Sequence, residues 1–351
     1  MVAEPDPREG LRLADLGELG LLRRIVPALA ASAAVGLRLG AGDDAAIWRP
    51  PPGSDVVATT DTLVEGVHFF PPATAADAAD LGWKLLAISL SDLAAMGAEP
   101  GPAFLALALP AGWPVALLDG LYAGLAECAG AFGASLAGGN LSAAAQPVLT
   151  STCLGTVPPD QALRRTGALP GWELATTGRL GGAAAALREL AEPREAPPAS
   201  GPETAPAWRL RLARPTPRLT AGRALLEAGI SVALDISDGL YLDAARLLGV
   251  AGDEAATGLV IDVDALPLEP GIAERWPQEM AALAGGGEDY ELLFAAPPEA
   301  IARAVEALEA LGVGATVVGR FDGGRGVRLR AGGVEVAAPA SGHEHFHGLA
   351  R

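Results

Sequence analysis

The sequence predicts a mixed α/β protein of two domains, and three observations lead there. Its 351 residues suffice for two hydrophobic cores. Short β-rich runs alternate with longer Ala/Leu stretches at helical spacing. Between two halves that each alternate in this way stands Pro158-Pro159-Asp160, which sets a domain of residues 1–157 against one of 158–351.

Strands are expected at 56–60, 103–109, 148–157, 173–177, 232–236, 259–263, 290–295 and 316–320. Helices are expected at 75–96, 114–132, 181–190, 219–228 and 298–311. The stretch 192–207 carries five prolines and no periodicity, so it reads as an exposed loop without chemistry. Half of the residues are apolar but few are aromatic, so the cores are expected to be built from Ala, Leu and Val.

Charge narrows the function. Against 25 basic residues stand 42 acidic ones, a formal charge of −17, which repels phosphate backbones and anionic lipid and argues against nucleic-acid or membrane partners. An anionic ligand would then need divalent cations beside it. The uncharged runs 100–118 and 128–159 are too broken to span a membrane. Pro102, Pro110 and Pro114 interrupt the first, and Gly138-Gly139-Asn140 and Gln146-Pro147 the second. Cys128 and Cys153 read as small buried residues of a reduced protein. Glu4, Asp6 and Glu9 leave no basic region ahead of an apolar core, so a cytoplasmic location is expected.

Familiar phosphate motifs are missing. Lys84, the single lysine, lies in Gly82-Trp83-Lys84-Leu85, and there is no Gly-Lys-Ser/Thr, His-Arg-Asp or Asp-Phe-Gly. Gly178-Arg179-Leu180-Gly181-Gly182 lacks dinucleotide spacing and reads as a plain strand–turn–helix junction. Instead, acidic clusters recur where strands end or helices begin: Gly42-Asp43-Asp44, Thr59-Thr60-Asp61, Ser91-Asp92, Asp235-Ile236-Ser237-Asp238-Gly239 and Glu288-Asp289. Singly, each is an ordinary turn or helix cap.

Asp92 is less ordinary. Leu81, Leu85, Ile88, Asp92 and Met96 share one helix face that is otherwise apolar and should pack inward. A carboxylate there needs a cation or a donor. Asp61 is expected at the carboxyl end of its strand, and Asp235 and Asp238 flank the next strand-to-helix junction. Aspartates from separate segments with Thr hydroxyls beside them suit magnesium, which takes oxygen ligands and bridges phosphate oxygens. The expected chemistry is phosphoryl transfer from ATP by positioning and charge neutralisation.

Taken in order, these clusters resemble the thiamine-monophosphate kinase family. The likeness is carried by Gly42-Asp43-Asp44-Ala45-Ala46, by the run from Thr59-Thr60-Asp61 to His68-Phe69, and by Leu90-Ser91-Asp92-Leu93-Ala94-Ala95-Met96-Gly97. It continues through Gly138-Gly139-Asn140, Asp235-Ile236-Ser237-Asp238-Gly239-Leu240 and Gly286-Gly287-Glu288-Asp289-Tyr290-Glu291-Leu292.

The resemblance implies an aminoimidazole ribonucleotide synthetase-like fold whose N-terminal sheets pair in a homodimer. It implies ATP-dependent phosphorylation of thiamine monophosphate to thiamine diphosphate. Asp44, Thr59, Thr60, Asp61, Asp92, Asn140, Asp235 and Asp238 would then serve two or more magnesium ions. Tyr122, Gly139, Asn140, Arg165 and Ser237 would meet ATP, and His68, Glu288 and His343 the thiamine substrate. No nucleophile or general base is assigned, because the acceptor phosphate is already anionic. Asn140 stands where the family usually carries Asp, and His343 where it carries Trp or Tyr.

Overall fold

The computed structural model describes residues 10–29, 35–191, 204–249, 257–339 and 342. The chain divides into two compact units, one of residues 1–93 and 99–159, the other of 94–98 and 160–351.

The first unit runs α1 (Leu13–Leu29), β1 (Leu37–Leu39), β2 (Ile47–Trp48), β3 (Asp55–Val64), α2 (Ala75–Ala95), β4 (Glu99–Leu109), α3 (Val115–Phe132), β5 (Ser135–Ala143) and β6 (Val148–Val157). Its main sheet has the order β3-β6-β4-β5, antiparallel except for the β4–β5 pair. One sheet face is buried through Leu63, Leu105, Leu107 and Leu149. Helices α2 and α3 approach unusually closely because glycines line their crossing. A Cβ on Gly124 would lie 1.8 Å from the Ala79 carbonyl oxygen, and one on Gly120 2.2 Å from that of Ala75. Among the described residues α3 alone is long and apolar enough to cross a membrane, but 56% of it is buried in the unit. Its apolarity is accounted for by that packing.

The second unit runs β7 (Glu173–Thr177), α4 (Gly182–Ala191), α5 (Thr204–Ala213), α6 (Leu219–Glu227), β8 (Val232–Asp235), α7 (Leu240–Arg246) and β9 (Gly258–Asp262). It continues with α8 (Ile272–Arg275), α9 (Met280–Ala284), β10 (Leu292–Ala296), α10 (Pro298–Ala310), β11 (Ala315–Asp322), β12 (Gly326–Ala331) and β13 (Val334–Val336). The seven-stranded sheet has the order β13-β12-β9-β11-β7-β10-β8. Its core joins Leu174, Leu234, Ile261, Leu293 and Phe321.

Three expectations change. The run 128–159 is not interrupted at Gly138-Gly139-Asn140, because β5 passes straight through it. Gly139 is there for close approach, since a Cβ would sit 2.0 Å from the Leu105 carbonyl oxygen on β4. Residues 204–207, expected in a loop, open α5. Asp61 lies within β3, three residues before its end, because the strand continues through Val64 opposite Val148.

Candidate functional site

In the first unit the acidic residues are placed by strand periodicity. Along β3 the odd positions Val57, Thr59, Asp61 and Leu63 turn inward, while Val56, Ala58, Thr60 and Thr62 are exposed. Thr59 and Asp61 therefore share the inner face and meet α2. The Thr59 hydroxyl donates to the Asp92 carboxylate. Ser89, nearly one turn before Asp92, donates to Asp61 Oδ2 at 2.8 Å.

Behind this pair, Ser89 Oγ and Ser151 Oγ lie 2.6 Å apart, and Ser151 donates to the Leu85 carbonyl at 2.7 Å. Two hydroxyl protons thus serve three links, and a proton on Asp61 would complete the chain. Burial, and then the charge of Asp92, push the Asp61 carboxyl up to about 6 against the pull of Ser89. Two carboxylates that raise each other's charge cost fit a divalent cation. Among the described residues no group of three or more His, Cys, Asp or Glu side chains could hold a metal. Magnesium needs only one or two carboxylates when phosphate oxygens and waters complete its shell.

The remaining expected residues of this unit lie apart from that pair in different ways. The Thr60 hydroxyl is on the outer sheet face, bonded to the Ser151 carbonyl at 3.1 Å and facing the Thr152 hydroxyl at 3.0 Å. A one-residue step along a strand reverses the side chain, so Thr60 does not join Asp61. Asp44 is exposed in a turn where its N–H meets Asp43. Gly139 and Asn140 are exposed on β5. Tyr122 lines a separate hollow of about 190 Å³ with Arg24, Ile25 and Asp119, and burial pushes its phenol up. His68 sits in the turn after β3, where its Nδ1 accepts from the Val64 N–H at 3.0 Å. Its ring proton is therefore on Nε2.

The second unit carries expected residues of its own on and beside two loops. Asp235 ends β8 and is buried. Loop 236–239 lies against loop 286–291: Ile236 N–H donates to the Glu291 carbonyl, Tyr290 N–H to that of Ile236 and Glu288 N–H to that of Ser237, all between 2.8 and 2.9 Å. These bonds hold Glu288 and Tyr290 at positive φ, 68° and 50°. Each such residue costs about 1–3 kcal/mol. Gly287 allows the approach, since a Cβ there would lie 2.6 Å from the Ser237 carbonyl oxygen. Arg165 is exposed beside β8, its neighbour Arg164 bridging to Val232. His343 lies outside the described residues.

Several supporting residues had no role assigned from the sequence, although Asp289 and Glu291 lie within the Gly286–Leu292 motif. Asp289 accepts from the Gly181 N–H through both oxygens, at 3.1 and 2.9 Å, and burial pushes its carboxyl well up. The Gly178–Gly182 turn is thus a strand–turn–helix junction whose amide is met by an internal carboxyl group. Ser89, Asp243, Arg246 and Glu291 were likewise missed as supports. For Ser89, Asp243 and Arg246 the available signal was a position within a few helical turns of an expected site residue, and for Glu291 its place in the Gly286–Leu292 motif.

Residues 42–157 match the family described as AIR synthase related protein, N-terminal domain. The thiamine-monophosphate kinase of Salmonella typhimurium strain LT2 is 36% identical over 94% of this chain and 98% of its own length. The chain belongs to the thiamine-monophosphate kinase family. A crystal structure of the family's member from Stenotrophomonas maltophilia K279a aligns with a TM-score of 0.75 at 35% identity, covering 92% of this chain and 98% of that one. AaThiL complexed with AMPPCP and TMP aligns at 0.71 with 28% identity, over 96% and 99%. The family's fold is thus the mixed α/β, aminoimidazole ribonucleotide synthetase-like architecture that the motifs implied.

Proposed function

We infer that this chain transfers the γ-phosphoryl group of ATP to the phosphate of thiamine monophosphate, giving thiamine diphosphate in thiamine biosynthesis. The reading rests on the end-to-end relation to thiamine-monophosphate kinases. A 28% identical neighbour that is complexed with AMPPCP and TMP supports it. The acceptor is already a nucleophilic anion, so the chain's work is to bind, align and shield two polyanions.

Two or more magnesium ions are proposed: in the first unit Thr59, Asp61 and Asp92 would serve them, with Asp44 and Asn140 as further ligands, and in the second unit Asp235 and Asp238. Magnesium, when bound, neutralises phosphate charge. The Thr60 hydroxyl is left out because it faces the other way. Gly139, Arg165, Ser237 and Tyr122 are proposed for ATP, and His68, Glu288 and His343 for thiamine monophosphate. In this reading residues 1–157 form the metal-binding and dimerisation domain and 158–351 the second domain. The cytoplasm is the compartment proposed, in keeping with buried Cys128 and Cys153, which form no disulfide.

Purified protein given ATP, magnesium and thiamine monophosphate should form thiamine diphosphate, and excess EDTA should stop it. ATP binding without turnover would point to a nucleotide-binding regulator instead.

The proposed dimer uses the outer face of the β3-β6-β4-β5 sheet. Val56 there is 50% exposed, and Thr60–Thr152 and Thr62–Thr150 form cross-strand hydroxyl pairs. Sedimentation should give twice the chain mass, and Val56→Lys should shift it toward one chain. A single-chain mass for the unaltered protein removes the dimer.

A further inference from the structure

We propose that Asp243 and Arg246 are positioning residues for loop 237–239, one fixing its backbone and the other fixing Asp238. This rests on the reading that Ser237 and Asp238 serve ATP and magnesium.

The Asp243 side chain is 1% exposed. Its Oδ2 accepts from three successive backbone N–H groups, those of Ser237, Asp238 and Gly239, each at 3.0 Å. Its Oδ1 accepts from Arg246 Nη1. The other terminal nitrogen, Nη2, donates to Asp238 Oδ2. One guanidinium therefore bridges two carboxylates, which a point-charge ammonium cannot do with the same geometry. The loop is also closed from its far side. Gly239 has φ 126°, and a Cβ there would lie 2.2 Å from the Gly285 carbonyl oxygen.

The consequence is a loop with little freedom. Three convergent amides on one carboxylate oxygen set the backbone from Ser237 to Gly239. The guanidinium sets the Asp238 carboxylate and engages only Oδ2, so Oδ1 remains for a cation. Partners of this kind orient a ligand before the metal arrives, and their loss lowers metal affinity about 10- to 100-fold. Arg246 is 38% exposed, and its removal takes none of the three amide bonds from the loop. Its truncation therefore tests position rather than folding.

The experiment measures AMPPCP binding by calorimetry across a magnesium titration, with thermal denaturation as the folding control. Arg246→Ala should raise the magnesium concentration for half-maximal binding about 10- to 100-fold, while the melting transition, lowered by the buried Asp243 carboxylate left without its cation, stays cooperative and above the assay temperature. Arg246→Lys should restore part of the loss. Asp243→Asn keeps an acceptor for the amides but no charge for Arg246, and should shift the midpoint in the same direction. Because Arg246 acts through Asp238, the Asp238→Asn, Arg246→Ala double variant should be no worse than Asp238→Asn alone. An unmoved midpoint in Arg246→Ala beside a shifted one in Asp238→Asn overturns the inference and leaves the site reading standing. Fully additive losses overturn it too. If neither variant moves the midpoint, the assignment of Asp238 falls, and the inference with it.

Discussion

Asp92→Asn is expected to lower the turnover of thiamine monophosphate about 10²- to 10³-fold without unfolding the protein. Asparagine keeps an oxygen for the Thr59 hydroxyl, so the link between α2 and β3 survives. What disappears is the second negative charge of the pair, which a divalent cation needs in order to sit between protein and polyphosphate. The measurement is kcat at saturating magnesium beside a urea midpoint. An unchanged kcat would remove Asp92 from the site.

The same variant has a signature in pH. In the metal-free protein Asp61 is pushed up to about 6, by burial first and by Asp92 second. Magnesium needs the ionised carboxylate, so binding near pH 6 should release a proton, and affinity should fall as pH drops further. In Asp92→Asn one raising cause is gone, and proton release should move to lower pH. Calorimetry in buffers of different ionisation enthalpy reads this directly, and an unmoved profile would mean that the two carboxylates do not interact.

The largest expected effect on stability comes from Glu291→Ala. Glu291 is 1% exposed. It accepts from Arg218 Nε at 2.7 Å and also from its Nη2, from Arg211 at 3.5 Å and from the Thr177 hydroxyl at 2.7 Å. Arg218 is itself only 17% exposed, so truncating the carboxylate strands a desolvated cation. Breaking a buried pair in this way costs about 3–5 kcal/mol. Glu291→Gln, which keeps the Thr177 bond, should lose less. Urea unfolding checks both, and a loss below about 1 kcal/mol, the range of solvated pairs, would show that water reaches Arg218. Because the Glu291 carbonyl also accepts from Ile236 N–H, the damage should extend to the loop that carries Ser237 and Asp238.

Much of this was legible in the chain. Strands 148–157 and 173–177 lie where apolar periodicity set them, and α2 begins at Ala75 as expected. Asp92 could be singled out because a carboxylate on an apolar helix face is costly, a property of spacing alone. The likeness of ordered acidic motifs pointed to the family and its reaction. Strand β5 was missed because Gly138-Gly139 looks like a break unless one knows that a neighbouring backbone approaches there. The short helix α7 gives too few turns for periodicity to register.

By itself, then, the sequence determined the family and the ordered acidic motifs that point to it, because these follow from residue type, order and spacing. Only the tertiary structure decided which neighbours those carboxylates keep. It separated Thr60 from Asp61 across a sheet, set Asp289 against the Gly181 amide ahead of α4, and tied Asp238 to Arg246 and Asp243. The reason is physical. A side chain's direction and its counter-charge depend on strand register and on packing between elements distant in the chain, and no local pattern encodes either.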